Sequence, residues 1–162
     1  AEAFREYLSA PRRYLPQGEG SLGVRLARAF QSAFQRGAKR AIAVGADTPH
    51  LPLEILDQAL RVVVSGQVAL GPARDGGYYL IGIPRDYPHL DAIFHGEQWG
   101  TSQVLERTRQ ALAATSLPWQ ELEEFWDIDH LRDLVQWRQE IRRSGVPHPA
   151  PIRSLQLLEG LP

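Results

Sequence analysis

An α/β sandwich is the fold class predicted by this chain of 162 residues. Three observations carry that reading. Short apolar runs such as Ala41-Ile42-Ala43-Val44 lack the alternation of a half-exposed strand, as expected of a strand covered on both faces. Segments with apolar residues at helical spacing stand between these runs, which is the order of an α/β architecture. Acidic residues follow several of the strands at once, where open α/β sheets bind ligands.

The elements follow in chain order. Residues 1–20 mix Pro11, Pro16, Gly18 and Gly20 with charges and read as a short helix or coil and then a loop. Leu22, Leu26, Phe30, Ala33 and Phe34 recur at helical spacing before Gly37 as a stop. Ala41–Val44 is the first strand. A second helix opens at Pro52, with Leu53, Leu56, Leu60 and Val63 expected inward and Ser65-Gly66 as its end. Val68–Leu70 and Tyr78–Ile83 read as strands joined by a loop carrying Pro72, Asp75, Gly76 and Gly77. A helix from about Ser102 to Ala114 is expected to bury Val104, Leu105, Thr108 and Leu112. Glu123 to Ile128 reads as a strand, and a last helix opens at Asp129 with Leu131, Leu134, Val135 and Ile141 inward. Residues 1–145 thus form one domain, and the prolines beyond Gly145 predict an extended tail over 146–162.

Composition narrows the function classes. With 43% hydrophobic residues the chain has material for a core, and 18 basic against 19 acidic residues leave no footprint of a nucleic-acid or anionic-membrane binder. Zero cysteines exclude disulfides, iron–sulfur clusters and thiolate zinc sites. No run approaches the ~18 apolar residues of a membrane span, so a cytoplasmic protein acting on small ligands is expected. The chain starts at Ala1 and has no methionine, so a segment upstream of it is expected.

The chemistry sits in three acidic clusters. Asp47 follows the first strand by two small residues, and Pro49 and Pro52 stiffen what comes next. A carboxylate so placed suits Mg²⁺ or Mn²⁺ bridging to substrate phosphates, although an Asx-turn capping the following helix explains an isolated Asp-Thr-Pro equally well. In the Asp75-Gly76-Gly77-Tyr78 segment the glycines allow close approach of backbone to a ligand, and Tyr78 and Tyr79 can alternate between core and cleft. A hairpin turn with an acid at its tip is the competing reading, against which the length of the loop counts. Asp127 ends a strand and needs a partner or a cation, whereas Asp129 has the routine task of a helix N-cap open to it. His50, His89, His95, His130 and His148 lack the spacing of a helical zinc pair and read as surface or capping residues. Trp99 and Thr101 lie in a glycine-broken segment before a helix N-terminus, an end that offers N–H groups to an anion.

Taken together, five separated motifs resemble a known family: Gln17 to Leu26, Gly45 to Pro49, Leu70 to Gly82, Phe94 with Trp99-Gly100-Thr101, and Asp127-Ile128-Asp129 with Asp133-Leu134. The family is bacterial, glycosyltransferase-like and part of the type A nucleotide-diphospho-sugar transferase (GT-A) superfamily, and the resemblance covers roughly residues 15–140. It implies a Rossmann-like mixed, mainly parallel sheet between helices, and a metal-dependent glycosyl- or nucleotidyltransferase similar in plan to the molybdenum-cofactor and phospholactate guanylyltransferases. It further implies Mg²⁺ or Mn²⁺ on Asp47 with Asp127 and Asp129, and a donor or acceptor cleft at Asp75, Gly76, Gly77 and Tyr78. Asp75 is then the group to activate an acceptor hydroxyl. Arg25, Trp99 and Thr101 complete the expected contacts to a nucleotide or nucleotide-sugar donor; the acceptor is a small molecule, and a homodimer is open. Family members begin with a strand and a basic, glycine-containing loop, and nothing like it precedes Ala1. A truncated or degenerate homologue that binds without turnover is therefore the rival expectation.

Overall fold

The protein is described by a computed structural model over residues 15–95 and 102–144. Helix α1 spans Leu22–Gln35 and strand β1 Arg40–Val44. Helix α2 covers Leu53–Val64, and strands β2 and β3 cover Val68–Pro72 and Tyr78–Pro84. A short α3 (Leu90–Phe94), α4 (Val104–Ala114), strand β4 (Trp119–Glu121) and α5 (Leu131–Ser144) complete the order. The tail over 146–162, like Trp99 and Thr101, lies outside the described residues.

Among the described residues four strands form one mixed sheet in the order β1-β3-β2-β4. β3 runs antiparallel to both β1 and β2, while β4 is parallel to β2. The expectation of mainly parallel pairing is therefore corrected: two of the three ladders are antiparallel. Even so, β1, β2 and β4 all point the same way, because β1 and β2 share the antiparallel partner between them. The carboxyl ends of these three strands consequently open on one rim.

From Leu80 onward the β3 side chains alternate between two apolar layers, as the period of a strand requires, whereas Tyr79 shares the layer of Leu80 at the end of β3 where the ladder to β2 shifts register between Gly71 and Pro72. Ile81 and Ile83 join Val68 and Leu70 under Phe30 of α1, Phe94 of α3 and Leu105 and Leu112 of α4. Leu80 and Tyr79 join Ala69 beneath Ile55, Ala59, Val62 and Val63 of α2. The α4 residues Val104, Leu105, Thr108 and Leu112 are buried as expected, although the helix itself opens at Val104. Leucine positions were less legible: Leu53, Leu60 and Leu131, all expected inward, are 57%, 48% and 61% exposed. For α2 the reason lies across the interface. It lies close over Gly82, where an added Cβ would stand 2.6 Å from a Val63 methyl, so compact valines and Ala59 fill the contact.

The strand expected over Glu123 to Ile128 is also corrected, since β4 lies earlier, at Trp119–Glu121. Past β4 the chain stays alongside β2 but bonds it only at intervals: the Leu122 N–H donates to the Leu70 carbonyl (2.8 Å) and the Phe125 N–H to the Pro72 carbonyl (3.0 Å). The Glu123 carbonyl accepts instead from the Tyr79 hydroxyl (2.8 Å), so no continuous ladder forms. Burial and the neighbouring Glu123 push the Tyr79 hydroxyl pKa up to about 12, and it therefore remains a donor. The Tyr79 ring also passes over Gly71, where an added Cβ would meet its carbons at 2.5–2.9 Å. Gly71→Ala is expected to displace the ring and destabilise the fold by about 1–3 kcal/mol, read from urea unfolding midpoints.

Candidate functional site

At the rim where β1, β2 and β4 end, three of the expected acids meet. One carboxylate oxygen each from Asp47, Asp127 and Asp129 lies within 4.8 Å of the other two. Asp47 and Asp129 are exposed and Asp127 is half-buried. The backbone sets this convergence, because the Ile128 N–H donates to the Asp47 carbonyl (2.9 Å) and pins the segment after β4 to the loop after β1. At the strand end the Gly45 N–H donates to the Tyr79 carbonyl (2.9 Å) and the Thr48 hydroxyl to the Gly45 carbonyl (3.1 Å).

Asp47 is not a helix cap. The residue before α2 is Pro52, which makes no side-chain capping bond, and Asp47 folds back instead over Gly45. A Cβ on Gly45 would collide with Asp47 Oδ1, so this glycine, which the sequence reading did not assign to the site, is what lets the carboxylate lie there. Its signal was the small residue two positions before a strand-end acid.

Asp129 is not the cap either, a correction with a definite cause. Asp133, in the first turn of α5, accepts from the His130 N–H (2.7 Å) and the Asp129 N–H (3.1 Å) through one carboxylate oxygen. A carboxylate reaching back from the third helical position satisfies donors that would otherwise be left bare. Those backbone bonds, that to His130 foremost, hold the Asp133 carboxyl below its ordinary range. The Asp129 side chain is thereby released for the acidic group.

Behind the acids stands an aromatic knot. His50 is buried, its ring centroid 4.0 Å from that of Trp126, 4.8 Å from Phe125 and 5.6 Å from Trp137. The expectation that the histidines lie at the surface is thus corrected for His50. Trp137 of α5 is 2% exposed and packs with Trp126, Ile128, Leu134 and Ile141. Asp127 and Asp47 therefore spring from two loops clamped by the same aromatic rings.

The Asp75 loop joins β2 to β3 as an antiparallel hairpin connection. Asp75 Oδ1 accepts from the Gly77 N–H (2.8 Å) in an Asx-turn at its tip. Gly76, at φ +89°, packs its bare Cα against the Ser102 backbone, and its carbonyl accepts from the Leu105 N–H (2.9 Å). Tyr78 turns to the α1 and α4 layer with its hydroxyl buried, which raises that group's pKa. Arg25 donates to Gln17 Oε1 (2.9 Å) on α1, and no described contact joins it to the acids.

Asp75 nevertheless belongs to the electrostatics of the rim. Burial pushes the Asp127 carboxyl above its ordinary range; its own backbone hydrogen bond opposes this, and the negative charges of Asp75, Asp129 and Asp47 add to the rise. Three hard oxygen donors so arranged fit an oxygen-liganded divalent cation. Ligands at about 2.1 Å on an octahedral Mg²⁺ stand about 3.0 Å apart when adjacent and about 4.2 Å when opposite, so the group would draw together around an ion. Without a cation, the folded state holds the Asp127 proton more tightly than the unfolded chain, and stability falls as pH rises from the ordinary carboxylate pKa through the raised one. In EDTA, Asp127→Asn is expected to raise Tm at pH 7, and the gain should vanish below about pH 4, where both states are protonated; an equal gain at both pH values would contradict this.

Comparison with known proteins shows what the chain resembles. Residues 1–101 match the family described as "Uncharacterized protein conserved in bacteria" (DUF2064). Among solved structures, a candidate nucleotide-diphospho-sugar transferase from Desulfovibrio desulfuricans G20 superposes with a TM-score of 0.80 at 33% identity. The match covers 88% of this chain and 62% of that one. No curated protein matches the sequence.

Proposed function

This chain belongs to that bacterial family, and from this premise we propose that it carries the cation-binding part of a transferase that uses an activated nucleotide, with a GT-A type fold. The observation that carries the proposal is the convergence of Asp47, from the loop after β1, with Asp127 and Asp129, from the segment after β4, onto one rim. The likeness to the Desulfovibrio protein supports the substrate class, a nucleoside diphosphate or its sugar ester. The chain spans 62% of the length of that neighbour, so donor, acceptor and turnover are all part of the proposal.

The three aspartates would hold Mg²⁺ or Mn²⁺. When bound, such an ion supplies charge neutralisation to a diphosphate leaving group. The chain's own contribution is position: the Ile128 to Asp47 backbone bond and the aromatic knot set the carboxylates before any ligand arrives. Asp75, exposed at the hairpin tip, stands near enough for its charge to act on Asp127, and in this reading it is the carboxylate that faces an acceptor hydroxyl. Either glycosyl or nucleotidyl transfer fits these roles.

Asp47→Ala is expected to abolish Mn²⁺-dependent binding of a nucleoside diphosphate while leaving the circular dichroism spectrum unchanged, since Asp47 is exposed and caps no helix. Calorimetric titration of both proteins with and without Mn²⁺ checks this. Superimposable curves would remove Asp47 from the site.

A further inference from the structure

We infer that Asp133 is a positioning residue for the cation site: it fixes the backbone of Asp129 so that the Asp129 carboxylate is presented to the ion rather than spent on the helix end. The inference rests on the reading of Asp47, Asp127 and Asp129 as cation ligands.

The geometry holds Asp129 from both sides. On one side its neighbour Ile128 donates to the Asp47 carbonyl at 2.9 Å. On the other, the N–H groups of Asp129 and His130 converge on a single oxygen of Asp133, at 3.1 and 2.7 Å. The Asp133 side chain is only 20% exposed and its other oxygen lies 3.6 Å from Arg132 Nε. Two donors in succession on one acceptor fix the two peptide planes that flank the Asp129 Cα, and with them the direction in which the Asp129 side chain leaves the chain.

A helix that starts without a side-chain acceptor draws one from the nearest carboxylate or hydroxyl, and an aspartate just outside the first turn is favoured for that task. Were Asp133 absent, Asp129 would be the nearest such group, and its oxygens would turn toward the helix N–H groups and away from Asp47 and Asp127. Asp133 thus resolves a competition between capping and ligation that the segment Asp127-Ile128-Asp129-His130 cannot resolve alone. It touches neither ion nor substrate.

The test uses the full chain and Mn²⁺ alone as probe, with affinity from calorimetry and from the electron paramagnetic resonance signal of free Mn²⁺. Asp133→Ala should weaken Mn²⁺ binding about tenfold or more, as loss of an outer-shell partner does. Asp133→Asn keeps an acceptor oxygen but no charge, and should stay within about threefold of wild type, well short of that loss. The stabilisation of Tm by Mn²⁺ should shrink in the alanine variant alone, which a purely structural helix cap would not produce.

Equal weakening in Asn and Ala would show that only the negative charge matters and would overturn the inference. Unaltered affinity in Ala would do the same. Should Ala fail to fold, Asp133→Ser replaces it: a hydroxyl can still cap the helix but is too short to hold the Asp129 N–H, so it is expected to weaken Mn²⁺ as alanine would. A serine variant with wild-type affinity overturns the proposal. If the wild type itself binds no Mn²⁺, the cation reading falls and this role with it; binding by wild type with no loss in Ala or Ser sinks the positioning role alone.

Discussion

The site depends first on the direction of one strand. Because β3 runs against β1 and β2 and lies between them, those two strands end on the same rim, and β4 follows β2 to the same side. Asp47, Asp75 and Asp127 lie beyond the carboxyl ends of β1, β2 and β4 respectively. Reversing any of those strands would carry its acid to the far edge of the sheet, a full strand length away. The chemistry of the rim is thus a consequence of sheet topology before it is one of side chains.

Holding like charges together has a cost. Carboxylate oxygens within 4.8 Å of one another repel by about 1 kcal/mol in water-like surroundings and by several times that where solvent is excluded. The acids themselves offer no compensation, so the backbone must hold them. It does so through the Ile128 to Asp47 hydrogen bond, and through rings of His50, Trp126 and Trp137 that pack the two loops against α5. In the proposed function, a cation bound among the three acids would relieve that repulsion. The rise in the Asp127 pKa comes first from burial, and the charges of Asp75, Asp129 and Asp47 add to it.

Function and packing divide the aromatic and glycine residues in a way that residue type alone does not show. Tyr78 and Tyr79 are neighbours of the same kind, yet one serves the α1 layer and the other ties β3 to the segment that leads to Asp127. Gly45 makes room for a carboxylate, whereas Gly76 makes room for the Ser102 backbone. Of these glycines Gly76 was legible as a place of close approach and Gly45 was not. What approaches each was not legible, because the approaching group comes from elsewhere in the chain or from a side-chain direction that only the packed loop fixes.

The sequence by itself determined the α/β class, the positions of α1, α2, β1 to β3 and α4 to within a few residues, and the strand-end acids that meet at the rim, since apolar periodicity and strand-end carboxylates are local signals. Tertiary structure decided the sense of the ladders, the place of β4, the burial of His50 and the division of labour between Asp129 and Asp133. Those outcomes hang on contacts such as Leu122 with Leu70, Ile128 with Asp47 and His50 with Trp137, whose partners stand far apart in the chain. A periodic pattern reports which face of a segment is apolar; only packing reports which neighbour that face will meet.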